Sequence, residues 1–330
     1  MSSHAFDREQ SVAIDAVRAA AKLCQAVQAD IGESVLKKKD RTPVTVADFG
    51  SQAVICHALR MAFPNDPIIA EEDSSALQTD DNAAVLDAVV QRVQALEHGA
   101  DRDAVCQWID YGNASEYHDR FWTLDPIDGT KGFVRGDQYA IALALVVDGR
   151  PHVSALACPN LPDDLDNPST TGQIFTAVHG AGAQRVPADP ADGQPETIQA
   201  SSVSDVADGQ FCDSFVSAHS SHDMAMTVGE RLGISKPPVR MDSQAKYTLV
   251  ARGDVEIYFR LPRGGDYTER IWDHAAGMLV VEEAGGRVTD VHGNPLDFSH
   301  GHLLSENHGI VASNDRFHDA VLQALDAVGA

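Results

Sequence analysis

The sequence has few cysteines, few basic residues and no long apolar run. Its five cysteines are odd in number, widely spread and free of any C-x-x-C pair, which argues against a disulfide framework or a zinc ribbon. No apolar stretch approaches the ~18 residues that a membrane helix needs. The opening residues, MSSHAFDREQSV, show neither an apolar signal core nor an arginine-rich transit composition. We therefore expect a cytoplasmic protein that does not associate with a membrane.

The scarcity of basic residues makes the chain strongly acidic. It has 25 Lys and Arg against 49 Asp and Glu, a formal net charge of −24. Such a surface repels nucleic acid and anionic membranes, so neither is an expected partner. A phosphate ester would be repelled too, unless basic side chains or bound divalent cations overcome the repulsion locally. Most of the acids are expected to form a solubilising surface.

A chain of 330 residues is long enough for roughly two domains, and its pattern is mixed α/β in layered units. Apolar periodicity predicts helices over residues 13–31, 46–63, 85–96, 273–283 and 315–325, the last with Asn314 as its N-cap. Strands are predicted at residues 68–70, at RFWTL, and in two runs that flank a turn at 148–150. Polar segments 160–172 and 187–195 read as loops. The first of these loops predicts a domain boundary, which gives domains 1–170 and 171–330.

The stretch WTLDPIDGTKGF places Asp125 and Asp128 at one corner. A strand is expected to end at Asp125 because Pro126 has no N–H for the ladder, and the turn that follows lets both carboxylates converge. Mg²⁺ prefers such oxygen ligands. Thr130 and Lys131 would then open a helix, whose free N–H groups favour an anion. Taken alone, D-x-x-D-G is more often an ordinary turn.

Three other segments add acids to this picture. TPVTVAD contributes Asp48, AEED contributes Glu71 at the end of a short strand, and IWDHAAG contributes Asp273. Each acid has a plain structural explanation, since Asp273 could be a helix N-cap and Glu71 part of a solvated turn. Four acidic segments around a phosphate-type corner nevertheless favour a shared site.

Longer stretches resemble a known superfamily. RFWTLDPIDGTKGFVRGDQYAIALALV, AEED and IWDHAAGMLVVEEAGG are similar to segments of the metal-dependent, lithium-sensitive phosphatases that include inositol monophosphatase and fructose-1,6-bisphosphatase. Within them, TPVTVADF, AHSSHD, MDSQAKY and YFRLP resemble the 3'(2'),5'-bisphosphate nucleotidases of yeast and plants. The resemblance runs nearly end to end and implies a layered α-β-α-β-α fold. It also implies hydrolysis of the 3'-phosphate of adenosine 3',5'-bisphosphate (PAP) to AMP, and of its sulfated relative PAPS. We expect the chain to act as a monomer.

The resemblance also implies the roles of individual residues. Two or three Mg²⁺ ions would be held by Glu71, Asp125, the Ile127 carbonyl, Asp128 and Asp273. The attacking water would be oriented and deprotonated by Asp48 and Thr130. The nucleotide would be bound by Thr130, His219, Ser243, Lys246, Arg260 and Asp273. Most metal ligands thus fall in the N-terminal domain. Lys246 and Arg260 suit the 5'-phosphate, because both are cationic hydrogen-bond donors.

Several alternatives compete with this interpretation. An inositol polyphosphate 1-phosphatase would share the metal site, although MDSQAKY and RLP favour a nucleotide. Phosphatases with an aspartate nucleophile carry D-x-D-G-T, and the additional residue in D-x-x-D-G-T moves Asp125 out of that register. A nucleotide sensor without turnover is disfavoured because all the expected metal acids are present. One departure is Asp73, which stands where the nucleotidases carry serine.

Overall fold

The computed structural model of the protein describes residues 5–31, 42–215, 222–262 and 267–329. The helices are α1 (Asp7–Ala29), α2 (Thr42–Ala62), α3 (Ala83–Gln94), α4 (Arg102–Asp110), α5 (Thr130–Arg135), α6 (His222–Arg231), α7 (Ala245–Ala251), α8 (Ala275–Glu283) and α9 (His318–Val328). The strands are β1 (Ile68–Ala70), β2 (Arg120–Asp128), β3 (Ala140–Val147), β4 (Arg150–Pro162), β5 (Thr171–Val178), β6 (Gly182–Pro187), β7 (Glu196–Thr197), β8 (Phe211–Asp213), β9 (Val239–Arg240), β10 (Ile257–Arg260), β11 (Arg287–Thr289) and β12 (Ile310–Ser313). None of the described helices is both long and apolar enough to cross a membrane.

Strands β1 to β7 form one sheet in chain order. β1 runs parallel to β2, and each later pair of neighbours is antiparallel. The predicted hairpin between β3 and β4 is confirmed. Its two-residue turn has φ of 49° at Asp148 and 73° at Gly149, and two successive positive values match the twist of the flanking strands.

Both faces of this sheet are covered, because β3 is apolar on both sides. Ile141, Leu143 and Leu145 belong to the core that α1 and α2 share with the sheet. Ala142 and Ala144 belong to the core formed with α7 and α8. Since successive side chains of a strand point to opposite faces, one apolar run serves two cores.

The second sheet has the order β11-β12-β10-β8-β9 and lies on the far side of α7 and α8. Its other face packs on α6 and α9 in a third core that includes Phe211, Val228, Phe259 and Val321. The layers therefore follow the order helix, sheet, helix, sheet, helix. This is the layered architecture that the family resemblance implied.

The predicted end of β2 at Asp125 is wrong. The strand continues to Asp128, with Asp125 opposite Ala142 and Asp128 opposite Ala140. Three steps on β2 therefore face two on β3, which makes a bulge. A bulge interrupts the hydrogen-bond ladder, so it accommodates Pro126, which has no N–H to donate.

Some helix starts also differ from the predicted positions. A 3₁₀ turn at Ile271–Asp273 precedes α8, so Asp273 lies just outside the helix that it was expected to open. α9 begins at His318 and not at 315. Asn314 still acts as a local cap, because its Oδ1 accepts a hydrogen bond from Phe317 N at 3.2 Å.

The first sheet crosses the expected domain boundary. β4 lies before residue 170 and pairs with β5, which lies after it. Strands β5 to β7 thus extend a sheet that the N-terminal segment begins. The division into 1–170 and 171–330 stays a prediction about how the chain is organised.

Candidate active site

The bulge at the end of β2 forms the corner of the site. Asp125 is 2% exposed, and its Oδ1 accepts a hydrogen bond from Ile127 N at 3.0 Å. Gly129 has a φ of 89°, which favours glycine. A Cβ at Gly129 would also lie 2.9 Å from Ser243 Cβ. Glycine therefore lets the corner close against the segment around Ser243.

Two distant segments bring further carboxylates to this corner. β1 pairs in parallel with β2 as far as Ala70, so the next residue, Glu71, emerges beside Asp125. Asp273 arrives from the turn before α8. One carboxylate oxygen from each of Asp125, Asp128 and Asp273 lies within 4.8 Å of the other two. Acids from both halves of the chain thus meet at one point.

These carboxylates raise one another's pKa. Glu71 lines a cavity and keeps contact with solvent through it. Desolvation by the surrounding protein, followed by the charges of Asp273 and Glu72, raises the pKa of Glu71 to about 8. Burial and the nearby charges of Glu71, Asp128 and Asp273 raise the pKa of Asp125 well above its usual value. The cluster therefore holds negative charge that lacks sufficient compensation from the described side chains.

Asp128 is the acid of this cluster whose pKa both Lys246 and Arg260 act to lower. Burial and Asp273 raise its pKa to about 6, although Lys246 and Arg260 act in the opposite direction. Gln244 N donates a hydrogen bond to Asp128 Oδ2 at 2.6 Å. Asp128 therefore joins the acid cluster to the basic side of the site.

Lys246 forms that basic side together with a strained backbone segment. Ser243 has a φ of 67°, which is uncommon for a residue with a side chain and is often found at functional sites. Lys246 is 4% exposed, and its Nζ donates to Ser243 O at 2.8 Å. The same Nζ lies 5.2 Å from the centre of the Tyr258 ring. As far as the described residues go, a carbonyl and an aromatic ring hold this ammonium group, not a carboxylate.

Arg260, by contrast, is already paired with two acids. Its Nη2 lies 2.6 Å from Glu269 Oε2 and 3.1 Å from Asp273 Oδ2. Glu269 Oε2 also lies 3.2 Å from His274 Nε2. Burial alone would raise the pKa of Glu269, but Arg260 and His274 lower it to about 2. Arg260 is therefore less available than Lys246 to a phosphate.

Asp48 lies on α2 and is 9% exposed. Burial, followed by the charges of Glu72 and Glu71, raises its pKa well above its usual value. Its carboxylate is thus close enough to Glu71 for electrostatic repulsion, although Asp48 is not among the residues that line the cavity.

Most of the acidic and basic groups described above line one cavity of about 260 Å³. Its walls consist mostly of acids, basic residues and small polar residues. They are Glu71, Asp125, Ile127, Asp128, Gly129, Thr130, Lys131, Ser214, Asp242, Ser243, Lys246, Arg260, Tyr267 and Asp273. A wider depression beside it shares Glu71, Tyr267 and Asp273 and adds Arg270, Trp272 and His302.

Known proteins are similar to this chain in sequence and in architecture. The inositol monophosphatase family matches residues 6–330. The chain belongs to the inositol monophosphatase family. A Schizosaccharomyces pombe protein named 3'(2'),5'-bisphosphate nucleotidase is 41% identical, over 98% of this chain and 96% of its own. An Oryza sativa protein of the same name is 42% identical, over 98% of this chain and 95% of its own.

Solved structures of this family have the same fold. An inositol monophosphatase from Anabaena superposes with a TM-score of 0.61 at 23% identity, over 98% of this chain and 97% of its own. One from Zymomonas mobilis gives a TM-score of 0.64 at 18% identity, over 98% of this chain and all of its own (100%). The predicted layered fold and the predicted family are both confirmed.

The family is metal-dependent, and the acid cluster fits a bound metal cation. Hard divalent cations take carboxylate and carbonyl oxygens as ligands. Asp125, Asp128 and Asp273 present such oxygens together, and Glu71 and Ile127 line the same cavity. Burial and mutual repulsion raise the pKa values of Glu71, Asp125 and Asp128. A bound cation would offset that repulsion and favour the ionised carboxylates.

Most of the residues singled out by sequence reasoning lie around the cavity. Those that line it are Glu71, Asp125, Ile127, Asp128, Thr130, Ser243, Lys246, Arg260 and Asp273. Asp48 lies near the acids without lining the cavity, and His219 lies outside the described residues. Asp73 does not line the cavity. It is exposed, and its Oδ1 accepts a hydrogen bond from Ser75 N at 2.9 Å. The individual roles of the cavity residues stay predictions.

Sequence reasoning missed other residues of the site. Gln244 contributes the amide that contacts Asp128, and its side-chain Oε1 accepts a hydrogen bond from Gly277 N at 3.0 Å. Glu269 fixes Arg260, and Asp242 forms part of the cavity wall. MDSQAKY contains Asp242 and Gln244, but the spacing within this segment gave no sign of which side chain would face the cavity.

Proposed function

We propose that this member of the inositol monophosphatase family hydrolyses the 3'-phosphate of PAP, giving AMP, and that of PAPS, giving adenosine 5'-phosphosulfate. The observation that carries the proposal is the meeting of acids from three distant segments in one cavity with Lys246. The names of relatives that are 41% and 42% identical over nearly the whole chain support the nucleotide as substrate.

The proposed cofactor is Mg²⁺, with two or three ions per site. Its ligands would be the carboxylates of Glu71, Asp125, Asp128 and Asp273 and the carbonyl oxygen of Ile127, since these groups line one cavity. When bound, such cations lower the pKa of a coordinated water and offset the charge of the phosphoryl group.

The chain's own residues then position the reactants. Asp48 and Thr130 orient and deprotonate the attacking water, and no covalent phosphoenzyme forms. The Thr130 hydroxyl can only relay a proton, so the proton ends on the Asp48 carboxylate. Lys246 pairs with the 5'-phosphate, because its buried ammonium group has no carboxylate partner among the described residues. Ser243 and His219 complete the nucleotide contacts. Arg260 holds Asp273 in place through the pair at 3.1 Å and adds positive charge beside it.

A substrate panel tests the proposal directly. Phosphate release is measured from PAP, PAPS, inositol 1,4-bisphosphate and fructose 1,6-bisphosphate, with Mg²⁺ and then with added Li⁺. We expect PAP and PAPS to have the highest kcat/KM and Li⁺ to inhibit. Preference for inositol 1,4-bisphosphate would identify an inositol polyphosphate 1-phosphatase, and no turnover of any ester would defeat the enzymatic interpretation.

We also propose that the protein acts as a monomer in the cytoplasm. Sedimentation equilibrium tests the first part, and a molecular mass near twice 35.3 kDa would contradict it. Fractionation of cells that express the protein tests the second part.

A further inference from the structure

One acid in the cavity wall has no role in the proposed chemistry. Asp242 lines the cavity together with Ser214 and is 5% exposed. A buried carboxylate requires partners for its oxygens. Asp242 is therefore either a structural ion-pair residue or a group that also meets the ligand.

Asp242 is held in position by an arginine of α5. Arg135, the last residue of α5, forms an ion pair with Asp242 Oδ2. The guanidinium group of Arg135 also pairs with Asp137 at 2.6 Å and lies 5.9 Å from the centre of the Phe215 ring. A Cβ placed on Gly132 would come within 3.4 Å of Asp242 Cβ, which shows how closely α5 approaches this acid. One oxygen of Asp242 is thus used by the protein, and the carboxylate keeps accepting capacity on the cavity side.

Asp242 lies on the same cavity wall as the acid cluster and only a short stretch of chain away from it. Gln244 N contacts Asp128, and Asp242 lies two residues before Gln244. Two residues of chain span at most about 7 Å. Met241 N donates to Asp213 O at 3.0 Å, which joins this segment to the one that carries Ser214. Asp242 therefore lies within reach of a nucleoside whose 3'-phosphoryl group is bound at Asp128.

The chemistry of the Asp242 carboxylate determines which ligand groups it can bind. An ionised carboxylate accepts hydrogen bonds and donates none. The exocyclic amine of a 6-aminopurine donates, and a site built around such a bond discriminates against an analogue without the donor. We propose that Asp242, held by Arg135, accepts a hydrogen bond from the 6-amino group of the base and makes the enzyme selective for adenine nucleotides. This inference rests on the proposed function, because it specifies which base the same cavity selects.

The test compares PAP with purine riboside 3',5'-bisphosphate, which lacks only the 6-amino group. A hydrogen bond to a charged group contributes about 1.5–3 kcal/mol, so the wild type should prefer PAP by roughly ten- to hundredfold in kcat/KM. In Asp242→Ala this preference should fall to within about twofold. The matched control is Asp137→Ala, which removes the other acid paired with Arg135 but does not line the cavity and should keep the wild-type preference.

A third substrate, 2'-deoxyadenosine 3',5'-bisphosphate, separates the base from the ribose. The penalty for losing the 2'-hydroxyl should be equal in wild type and Asp242→Ala. A change in that penalty would assign Asp242 to the ribose, and an unchanged preference for PAP over the purine riboside analogue would assign it to structure alone. Either result overturns the inference while leaving the proposed function intact. Wild-type protein that fails to hydrolyse PAP would defeat both.

Asp242→Asn guards against loss of folding in the alanine variant. It keeps the shape of the side chain and one carbonyl acceptor, so the preference for PAP should fall to an intermediate value. A preference equal to that of the wild type, in protein with an unchanged melting temperature, would contradict the inference.

Discussion

Lys246 is a buried ammonium group that is held by a carbonyl oxygen and an aromatic ring. Fully buried lysines are rare unless they are paired, which points to an anion as the missing partner. We predict that Lys246→Ala raises KM for PAP roughly ten- to hundredfold, the loss expected for a charge-assisted hydrogen bond. KM for a simple phosphate ester should change much less, because such an ester has no second phosphate.

The matched control for this substitution is Lys236→Ala, which changes an exposed lysine. Steady-state kinetics with PAP and with p-nitrophenyl phosphate checks the prediction. Equal increases in KM for both esters in Lys246→Ala would mean that Lys246 does not bind the 5'-phosphate.

Asp125 makes opposite contributions to activity and to stability. It is buried among like charges that raise its pKa, so Asp125→Asn removes repulsion while keeping the Oδ1 that Ile127 N contacts. We predict loss of nearly all turnover together with a higher melting temperature in EDTA. Relief of about 1 kcal/mol corresponds to roughly 2 °C.

Asp80→Asn, at an exposed position, serves as the control and should change neither property. Differential scanning calorimetry in EDTA gives the stability, and phosphate release with Mg²⁺ gives the activity. A variant that retains turnover would count against the metal role of Asp125. A lower melting temperature would show that Asp125 is not under electrostatic strain.

α5 is held against the chain that follows it by a glycine contact. A Cβ on Gly132 would lie 2.0 Å from Gln138 O, a backbone atom that has little freedom to move. We predict that Gly132→Ala displaces α5, and with it Thr130 and Arg135, and destabilises the protein by at least about 1–3 kcal/mol, the usual range for overpacking. Gly99→Ala is the control, since a Cβ at Gly99 meets nothing within 4 Å. Unfolding in urea measures both variants, and equal midpoints would refute the tight contact.

The elements themselves differ in how far the sequence predicts them. α1 and β3 follow from periodicity, because their apolar residues fall on faces that the cores then cover. The end of β2 does not follow, because Pro126 reads as a stop in a regular strand and only the pairing with β3 reveals a bulge. The start of α8 is shifted for a similar reason, since the 3₁₀ turn before it depends on contacts with distant residues, such as the hydrogen bond from Gln244 Nε2 to Trp272 O at 2.8 Å.

Only the folded molecule shows how charged residues from distant segments pair with one another. The resemblance of the motifs was enough to predict which acids belong to the site. It was not enough to predict that Arg260 would already be paired with Glu269 and Asp273, because that depends on the packing of the 3₁₀ turn before α8 against the end of β10. Long-range pairing of charges is therefore the part of the site that a linear pattern leaves open.

Stability of the whole molecule should depend on pH and on divalent cations together. The pKa is raised from 4.5 to about 8 for Glu71 and from 3.8 to about 6 for Asp128. A group whose pKa rises on folding stabilises the protein below its unfolded pKa and loses that contribution as the pH rises through its folded pKa. Without cations, we therefore expect the melting temperature to fall between about pH 6 and about pH 8.

Millimolar MgCl₂ should reverse this loss, because it binds the ionised carboxylates and stabilises only the folded protein. The increase in melting temperature that Mg²⁺ causes should be larger at about pH 8 than at about pH 6, where protons compete for the same oxygens. Burial lowers the pKa of His318 from 6.5 to about 4, so its stabilising contribution starts to be lost as the pH falls below 6.5. That loss is the same in EDTA and in MgCl₂, so it does not alter the effect of Mg²⁺ at either pH. Thermal melts in EDTA and in MgCl₂ at both pH values measure the effect. An equal effect of Mg²⁺ at both pH values would mean that the cation binds elsewhere, because only carboxylates that still hold protons near pH 6 make its binding pH-dependent in this window.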